Sequence, residues 1–296
     1  MAVVAIVPVH GRSPYLEGAL DALFGQDPAP DEVVVVDDGS PEPVSVPEGR
    51  CRLVRRDERG GPAAARESGL AAAPDADLVA FADADDRWLP GKLAAQLDAL
   101  GAHPDAALCF GRALVVGPDG RPTGEEWETL RGGVHSAEEL GPLLYERNPI
   151  PASSVIVRRD ALLDAGGFAG PADLGSDWDL WLRLVRRGAS FVCEPRARIE
   201  YRRHPGGVTA DVARLAEASL AIHAEHASLV SPEVVRRVRA RDLTALARGR
   251  VRRRDYAGAR EALADAGPPG PRERLLAALL RVPGARGLLG RRDPHR

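Results

Sequence analysis

A chain of 296 residues that is 44% hydrophobic and 28% charged has the make-up of an ordinary globular protein, and it is too apolar for a disordered segment. No run of 18 apolar residues occurs, so no membrane-spanning helix is expected. The net charge of −3 gives no reason to expect a nucleic-acid partner.

Residues 2–9, AVVAIVPV, form a continuous apolar run of strand length. The run lacks the basic flank and cleavage site of a leader, so it predicts a strand and not a signal peptide. In HGRSPYLEGALDALFGQ, the spacing of Tyr15, Leu16, Ala19, Leu20, Leu23 and Phe24 predicts a helix. Ser13 is expected as its N-cap and Pro14 at its first position. EVVVVDD, CRLVR and DLVAFA predict three more strands. GPAAARESGLAAA and LPGKLAAQLDAL predict helices, the second with Leu89, Leu93, Leu97 and Leu100 on one face. Strand and helix alternate over the first hundred residues. Such apolar strands belong to a mainly parallel sheet covered by helices on both faces, an α/β fold.

The second half reads differently. AALCFGRALVVGPDGRPTG predicts a hairpin around its PDG turn, and SAEELGPLLYE a helix. NPIPASSVIV leads into a strand, and RRDALLDAGG is a short helix closed by glycine. DWDLWLRLVRRG, with Leu180, Trp181, Leu184 and Val185 on one side, predicts a helix ending at Gly188. SFVCE and RIEYRRH read as two short strands, and from about residue 210 the chain reads as helical, broken by GPPGP. The expected domains are 1–209 (1–112 nucleotide-binding, 113–209 acceptor) and a helical region, 210–296.

Two acidic clusters follow strands of the first half. FADADDRWLP puts Asp83, Asp85 and Asp86 into four positions, where like charges about 5 Å apart repel by roughly 3 kcal/mol at an effective dielectric near 20. A cation would offset this. Asp83 and Asp85 offer hard oxygen ligands to Mg²⁺ or Mn²⁺, which leave most positions to water and phosphate. Asp86 reads equally as a cap for the helix that follows. Asp37 and Asp38 end the second strand and read either as turn formers before Gly39-Ser40 or as acceptors for a base or ribose. In a parallel sheet both clusters fall at the carboxyl edge, where ligands bind. Arg66, in the helix after the third strand, reads as a phosphate contact, a support for the acidic site or a solvated helix residue.

In order, VVAIVPVHGR, VVVVDDGSPEP, AAARESGLAAA, FADADDRWLPGKL, NPIPASSVIVRRDALLDAGGF, SDWDLWLRL and YRRHPGGVT resemble the family 2 glycosyltransferases, inverting enzymes of the GT-A fold, over residues 2 to about 209. The resemblance implies that a sugar moves from a nucleotide donor, UDP-linked by expectation, to a hydroxyl of a saccharide, a lipid-linked or another acceptor. It implies Asp38 at the nucleotide base, beside Pro8, Val9 and His10, and Asp83 and Asp85 at ribose and metal. Asp177 becomes the general base. His204 falls in a segment that closes over the donor, and reads either as a contact to diphosphate or metal or as a surface histidine. Ser176, Trp178 and Asp86 are candidates for acceptor contact or support. A carboxylate at the mouth of such a site also makes chemical sense, since the attacking hydroxyl must lose its proton. Asp179, two residues on from Asp177, points to another face and reads as structural.

The chain departs from the family pattern at three places: His10-Gly11 ends the first strand's motif, Glu67 stands where Asn is usual, and Ser176 where Glu is usual. A sugar nucleotidyltransferase would need a glycine-rich basic loop after strand one, and HGRSP has one glycine and one arginine. A P-loop is absent in its usual form. An inactive nucleotide-sugar-binding module is the rival of another class, opposed by the presence of Asp83, Asp85 and Asp177. Cys51, Cys109 and Cys193 read as buried thiols of a reducing compartment, and the expected location is cytoplasmic. Residues 232–296 hold 17 Arg against 7 acidic residues, which leaves the rest of the chain at −13. This basic tail reads as a solvated helical face or as a peripheral contact with the inner face of an anionic membrane.

Overall fold

The computed structural model describes residues 1–127, 130–170, 173–207 and 211–267. The chain divides into two compact units, Met1–Pro205 and Gly206–Arg296.

The first unit is built on one mixed sheet. Its first half follows the expected alternation: β1 (Val3–Val9), α1 (Leu16–Phe24), β2 (Glu32–Asp37), β3 (Arg52–Arg55), α2 (Gly61–Ala72), β4 (Leu78–Phe81), β5 (Arg87–Trp88) and α3 (Lys92–Ala102). The second half adds β6 (Ala106–Val116), β7 (Pro122–Glu126), β8 (Gly133–His135), α4 (Ala137–Glu146), β9 (Val155–Arg158), α5 (Arg159–Asp164), α6 (Ser176–Arg186) and β10 (Ser190–Arg202). The strands run in the order β3-β2-β1-β4-β9-β6-β10-β5, with β7 on β6 and β8 on β10. β1 pairs in parallel with β2 and β4, and β2 with β3, whereas β9 enters antiparallel between β4 and β6.

Burial explains this order. β1 and β4 are apolar along their whole length, β2 is so from Val33 to Val36, and all three occupy interior positions. β3 carries Arg52 and Arg55 and takes the edge, where charge discourages pairing with another chain. The chain winds from β1 outward to β3 and then returns to the other side of β1 as β4. Such a reversal opens a crevice at the carboxyl ends of the strands. Asp37–Asp38 and Asp83–Asp86 follow the adjoining strands there.

Local readings are corrected in several places. α1 begins at Leu16 with Tyr15 at its N-cap, so Ser13 and Pro14 lie before the helix, and the Ser13 hydroxyl accepts from the Tyr15 N–H at 3.3 Å. Leu89 precedes α3, whose N-cap is Gly91, and Asp86 does not cap it. SFVCE and RIEYRRH are not two strands: both belong to β10, which runs parallel to β6 with a register slip between Cys193 and Arg198. The slip presses the Ala197 carbonyl onto Gly111, where an added Cβ would lie 2.1 Å from it. Of the three cysteines, Cys109 and Cys193 are buried, but Cys51 is only half-buried on its loop. α4 opens with a capping box between Ser136 and Glu139.

The second unit, in its described part, consists of α7 (Val212–Glu225), α8 (Pro232–Arg252) and α9 (Tyr256–Asp265). Asp211, Ser231 and Asp255 cap their N-termini. Their core is made of small and aliphatic residues, among them Ala213, Ala216, Leu246, Ala247, Val251, Ala259 and Leu263. Within it His223 Nδ1 meets Asp242 at 2.5 Å. Residues 268–296 lie outside the described residues, and with them 7 of the 17 arginines of the basic tail and all but the first residue of the expected GPPGP break.

Candidate active site

At the carboxyl end of β2 two aspartates divide their work, Asp37 closing the strand and Asp38 following it. Asp37 is fully buried and accepts from the Ser40 and Val44 N–H groups and from Arg55 at 2.8 Å. Burial opposes its charge, but the Ser40, Val44 and Arg55 contacts win and hold its pKa below the usual carboxylate value. The turn-former reading therefore fits Asp37. Asp38 accepts from the Gly60 and Gly61 N–H groups at 2.9 and 2.8 Å, with Arg56 Nε at 2.9 Å. Its carboxylate thus secures the start of α2, and only its remaining lone pairs are left for a further partner. Gly61 sits at φ +83, and a Cβ there would meet the Asp173 carboxylate at 2.2 Å, so this backbone excludes any side chain. His10 Nδ1 lies 2.8 Å from the Asp38 carbonyl, while Val9 is buried and Pro8 half-buried at the end of β1.

α2 buries Ala65, Arg66, Gly69 and Leu70, which puts a guanidinium on its core-facing side. Arg66 is 5% exposed and donates to Asp83 at 2.6 Å, with Phe168 and Phe81 flanking it at 5.6 and 6.0 Å. The reading of Arg66 as a solvated helix residue is thereby corrected. Burial works against its charge, but Asp83, Asp177 and Asp173 outweigh it and raise its pKa. Glu67, on the same helix, accepts from the Phe168 N–H, and so ties α2 to the loop that leads to Asp173 and α6.

Asp177 stands in the first turn of α6, held by the Asn148 side chain at 3.3 Å. Burial pushes its carboxyl above the usual value and Asp83 adds to this, while Arg66 and Asn148 pull the other way. Ser176 is buried at its side. Trp178 donates from its indole to the Leu144 carbonyl at 2.6 Å and is a packing residue of α6. Asp179 is fully buried against Arg183 at 2.8 Å, as its structural reading required.

The third group comes from β10. His204 Nε2 lies 2.9 Å from an Asp85 oxygen, and its ring packs 5.2 Å from Tyr15. Arg202 bonds to the carbonyls of Asp85 and Gly117 and stacks 4.5 Å over Tyr15, and its own N–H donates to Asp86. Burial, and then the Asp83 charge, raise the Asp85 pKa; burial, Asp85 and Asp83 raise that of Asp86 further. Asp86 is thus a buried anchor for the end of β10. Among the described residues no group of three or more His, Cys, Asp or Glu is arranged to hold a metal. Asp85 and His204 do bring one hard oxygen and one imidazole nitrogen together. Two protein donors suit an ion that takes its other positions from a diphosphate and water.

The expected residues therefore meet in two clusters, Arg66–Asp83–Asp177 and Asp85–His204, with Asp38 bracing α2. Sequence reasoning assigned no role to Asn148, Ser153, Asp173 or Arg202. Ser153 accepts from the Asp83 N–H at 3.0 Å. All four are polar residues in loops, in a short 3-10 turn (Ser153) or at a strand end, where periodicity carries no signal.

Residues 4–162 match the family described as Glycosyl transferase family 2. The chain belongs to this family. As a family 2 member it is 30% identical over 210 residues to the pre-mycofactocin glycosyltransferase of Mycobacterium tuberculosis, a match that takes in 67% of this chain and 42% of that protein. It is 39% identical over 97 residues to the succinoglycan biosynthesis protein ExoW of Rhizobium meliloti, 30% of either chain. The chain thus spans less than half the length of the first of these relatives. Its fold is that of two solved proteins at low identity. S. aureus TarS 1–349 in complex with UDP-GlcNAc superposes with a TM-score of 0.66 at 18% identity, over 98% of this chain and 88% of that one. The mannosyltransferase PcManGT of Pyrobaculum calidifontis, in complex with GDP-Man and Mn²⁺, gives 0.57 at 21% identity, over 97% and 83%. This family 2 chain has the GT-A type of α/β fold.

Proposed function

We propose that the chain transfers a sugar from a nucleoside-diphosphate donor, UDP-linked, to an acceptor hydroxyl with inversion at the anomeric carbon. The observation that carries this reading is the Arg66 cluster. One buried guanidinium is bonded to Asp83 from the nucleotide half and feels Asp177 from the acceptor half. Donor and acceptor carboxylates therefore share one small volume.

In this reading the acceptor oxygen attacks the anomeric carbon while the bond from that carbon to the diphosphate oxygen breaks. The acceptor proton passes to the Asp177 carboxylate, and the electron pair leaves with the diphosphate. Attack opposite the leaving group inverts the configuration. Arg66 favours the ionised form of Asp177 against the opposing effect of burial and orients Asp83 toward the ribose, while Pro8, Val9, His10 and Asp38 border the base. Asp85 and His204 would hold Mn²⁺ or Mg²⁺, which when bound neutralises charge on the departing diphosphate. TarS and PcManGT, as complexes with UDP-GlcNAc and with GDP-Man and Mn²⁺, support a nucleotide-sugar donor and a divalent ion.

Calorimetric titration of UDP, with Mn²⁺ and then with EDTA, tests this on the native chain and on Asp85→Ala. Micromolar binding that requires both metal and Asp85 is expected. Equal binding without either would remove the metal–diphosphate part of the proposal, and tighter binding of GDP would reassign the donor nucleotide.

A further inference from the structure

Aromatic residues make up 4% of this chain, and three of its four tryptophans, Trp88, Trp178 and Trp181, are at most 8% exposed. Trp127 is the exception, half-buried just beyond β7. Its indole N–H is already used, donating to the Pro149 carbonyl at 3.0 Å, and its ring packs in part against the hydrophobic core. It packs against Tyr201 of β10 with ring centroids 4.6 Å apart at 56°, and Tyr201 is half-buried as well.

The position of the pair gives it a use. Pro149 follows Asn148, whose amide holds Asp177. Tyr201 lies three residues before His204, which meets Asp85. The aromatic pair thus touches both the segment that steadies the candidate base and the strand that delivers the candidate metal ligand. Glu125 and Arg203, each two residues from one of the rings, form an exposed ion pair with one another. Flat apolar rings bordered by planar charged groups match a sugar, whose axial C–H face is apolar and whose rim is hydroxyls.

We propose that Trp127 and Tyr201 form an acceptor subsite that takes a pyranose ring, with Glu125 and Arg203 bonding its hydroxyls. The acceptor is then a saccharide or a glycan-bearing molecule. The proposal rests on the glycosyl-transfer reading above, because that reading calls for an acceptor beside Asp177.

The test is saturation-transfer NMR on the full chain with UDP and Mn²⁺ present, using the methyl glycosides of glucose, galactose, mannose and rhamnose as probes. At least one should bind, with affinity reduced tenfold or more by Trp127→Ala and by Tyr201→Ala and less than threefold by Trp127→Phe, which keeps a ring. UDP affinity, titrated separately, should stay within twofold in all three variants. The proposal is overturned if no glycoside binds or if Trp127→Ala binds as the native chain does. It is also overturned if Trp127→Phe loses as much as Trp127→Ala, since the effect would then lie in the Pro149 hydrogen bond. Should the alanine variants not fold, tryptophan emission of the native chain decides: a saturable shift on glycoside binding supports the subsite, and no shift overturns it. Glycoside binding without UDP binding would sink the donor reading and leave this one standing.

Discussion

The residue on which most turns is Arg66. A guanidinium buried to this degree is costly unless compensated, and here three carboxylates supply the compensation. The same contact acts on Asp177, whose pKa burial raises and Arg66 lowers. A general base works in its ionised form, so the transfer rate should rise with pH through the Asp177 pKa, above the usual carboxylate value. Arg66→Met removes the lowering influence, and the acidic limb of the pH–rate profile should move upward, while Arg66→Lys should move it less. Asp177→Asn should cost about 10²–10⁴ in rate while leaving UDP affinity unchanged, because a base acts on the acceptor proton and not on nucleotide binding. A profile unmoved by Arg66→Met would separate Arg66 from the base.

Among elements, α3 carries a feature that composition hid. Lys92, the chain's sole lysine, reads in the sequence as a trace of coding bias, yet it is wholly buried. It donates to Gln96 at 2.7 Å and lies 3.5 Å from the centroid of Trp88. Burial pulls its pKa from 10.5 to about 7. Such a depression costs the fold roughly 5 kcal/mol at low pH. The unfolded chain then binds more protons than the folded one between about pH 7 and 10.5, so stability should rise with pH across that window. Lys92→Met should raise the melting temperature most below pH 7, with the gain shrinking toward pH 10. A gain independent of pH would mean that Lys92 titrates alike in the folded and the unfolded chain, with no depression of its pKa. β10 teaches a different lesson about elements. The segment Glu194–Ala197 carries charge and a proline, and its slip against β6 breaks the apolar alternation. The sequence therefore reads as two strands where the backbone continues as one. β1, β2 and β4 were legible because strands buried on both faces are simply apolar throughout.

At the scale of the molecule, the first unit carries every candidate site residue, and the ordered motifs made most of them legible. What stayed hidden were partners brought together across long separations, such as Asn148 on Asp177 or Arg202 on Asp85, because pairings of loops leave no period to read. The charge asymmetry belongs to this scale too. In the second unit, exposed Arg237, Arg241, Arg248 and Arg252 recur at intervals of 4, 7 and 4, within about 60° of arc on α8. No helix among the described residues is long and apolar enough to cross a membrane, and a peripheral contact with an anionic surface would fall to this stripe. At about 1 kcal/mol per arginine near an anionic surface, replacing all four with Gln should weaken binding to phosphatidylglycerol vesicles by two to three orders of magnitude. Native binding should fade with salt and be absent on phosphatidylcholine. Equal binding to both lipids would dismiss the electrostatic contact.

The place of β10 in the sheet also bears on how the protein is made. This strand is the last of the first unit to be synthesised, yet it lies inside the sheet, with β6 along one side and β8 and then β5 along the other. A nascent chain that has emerged only as far as β9 displays Asp83, Asp85 and Arg66 but lacks Asp177 and His204. It also leaves one side of β6 open to pairing over the rungs that β10 will fill. The growing polypeptide therefore passes through a stage with an exposed, adhesive β6 and no complete binding site, which ends when Pro205 clears the ribosome. Chaperone demand during translation should concentrate in that interval.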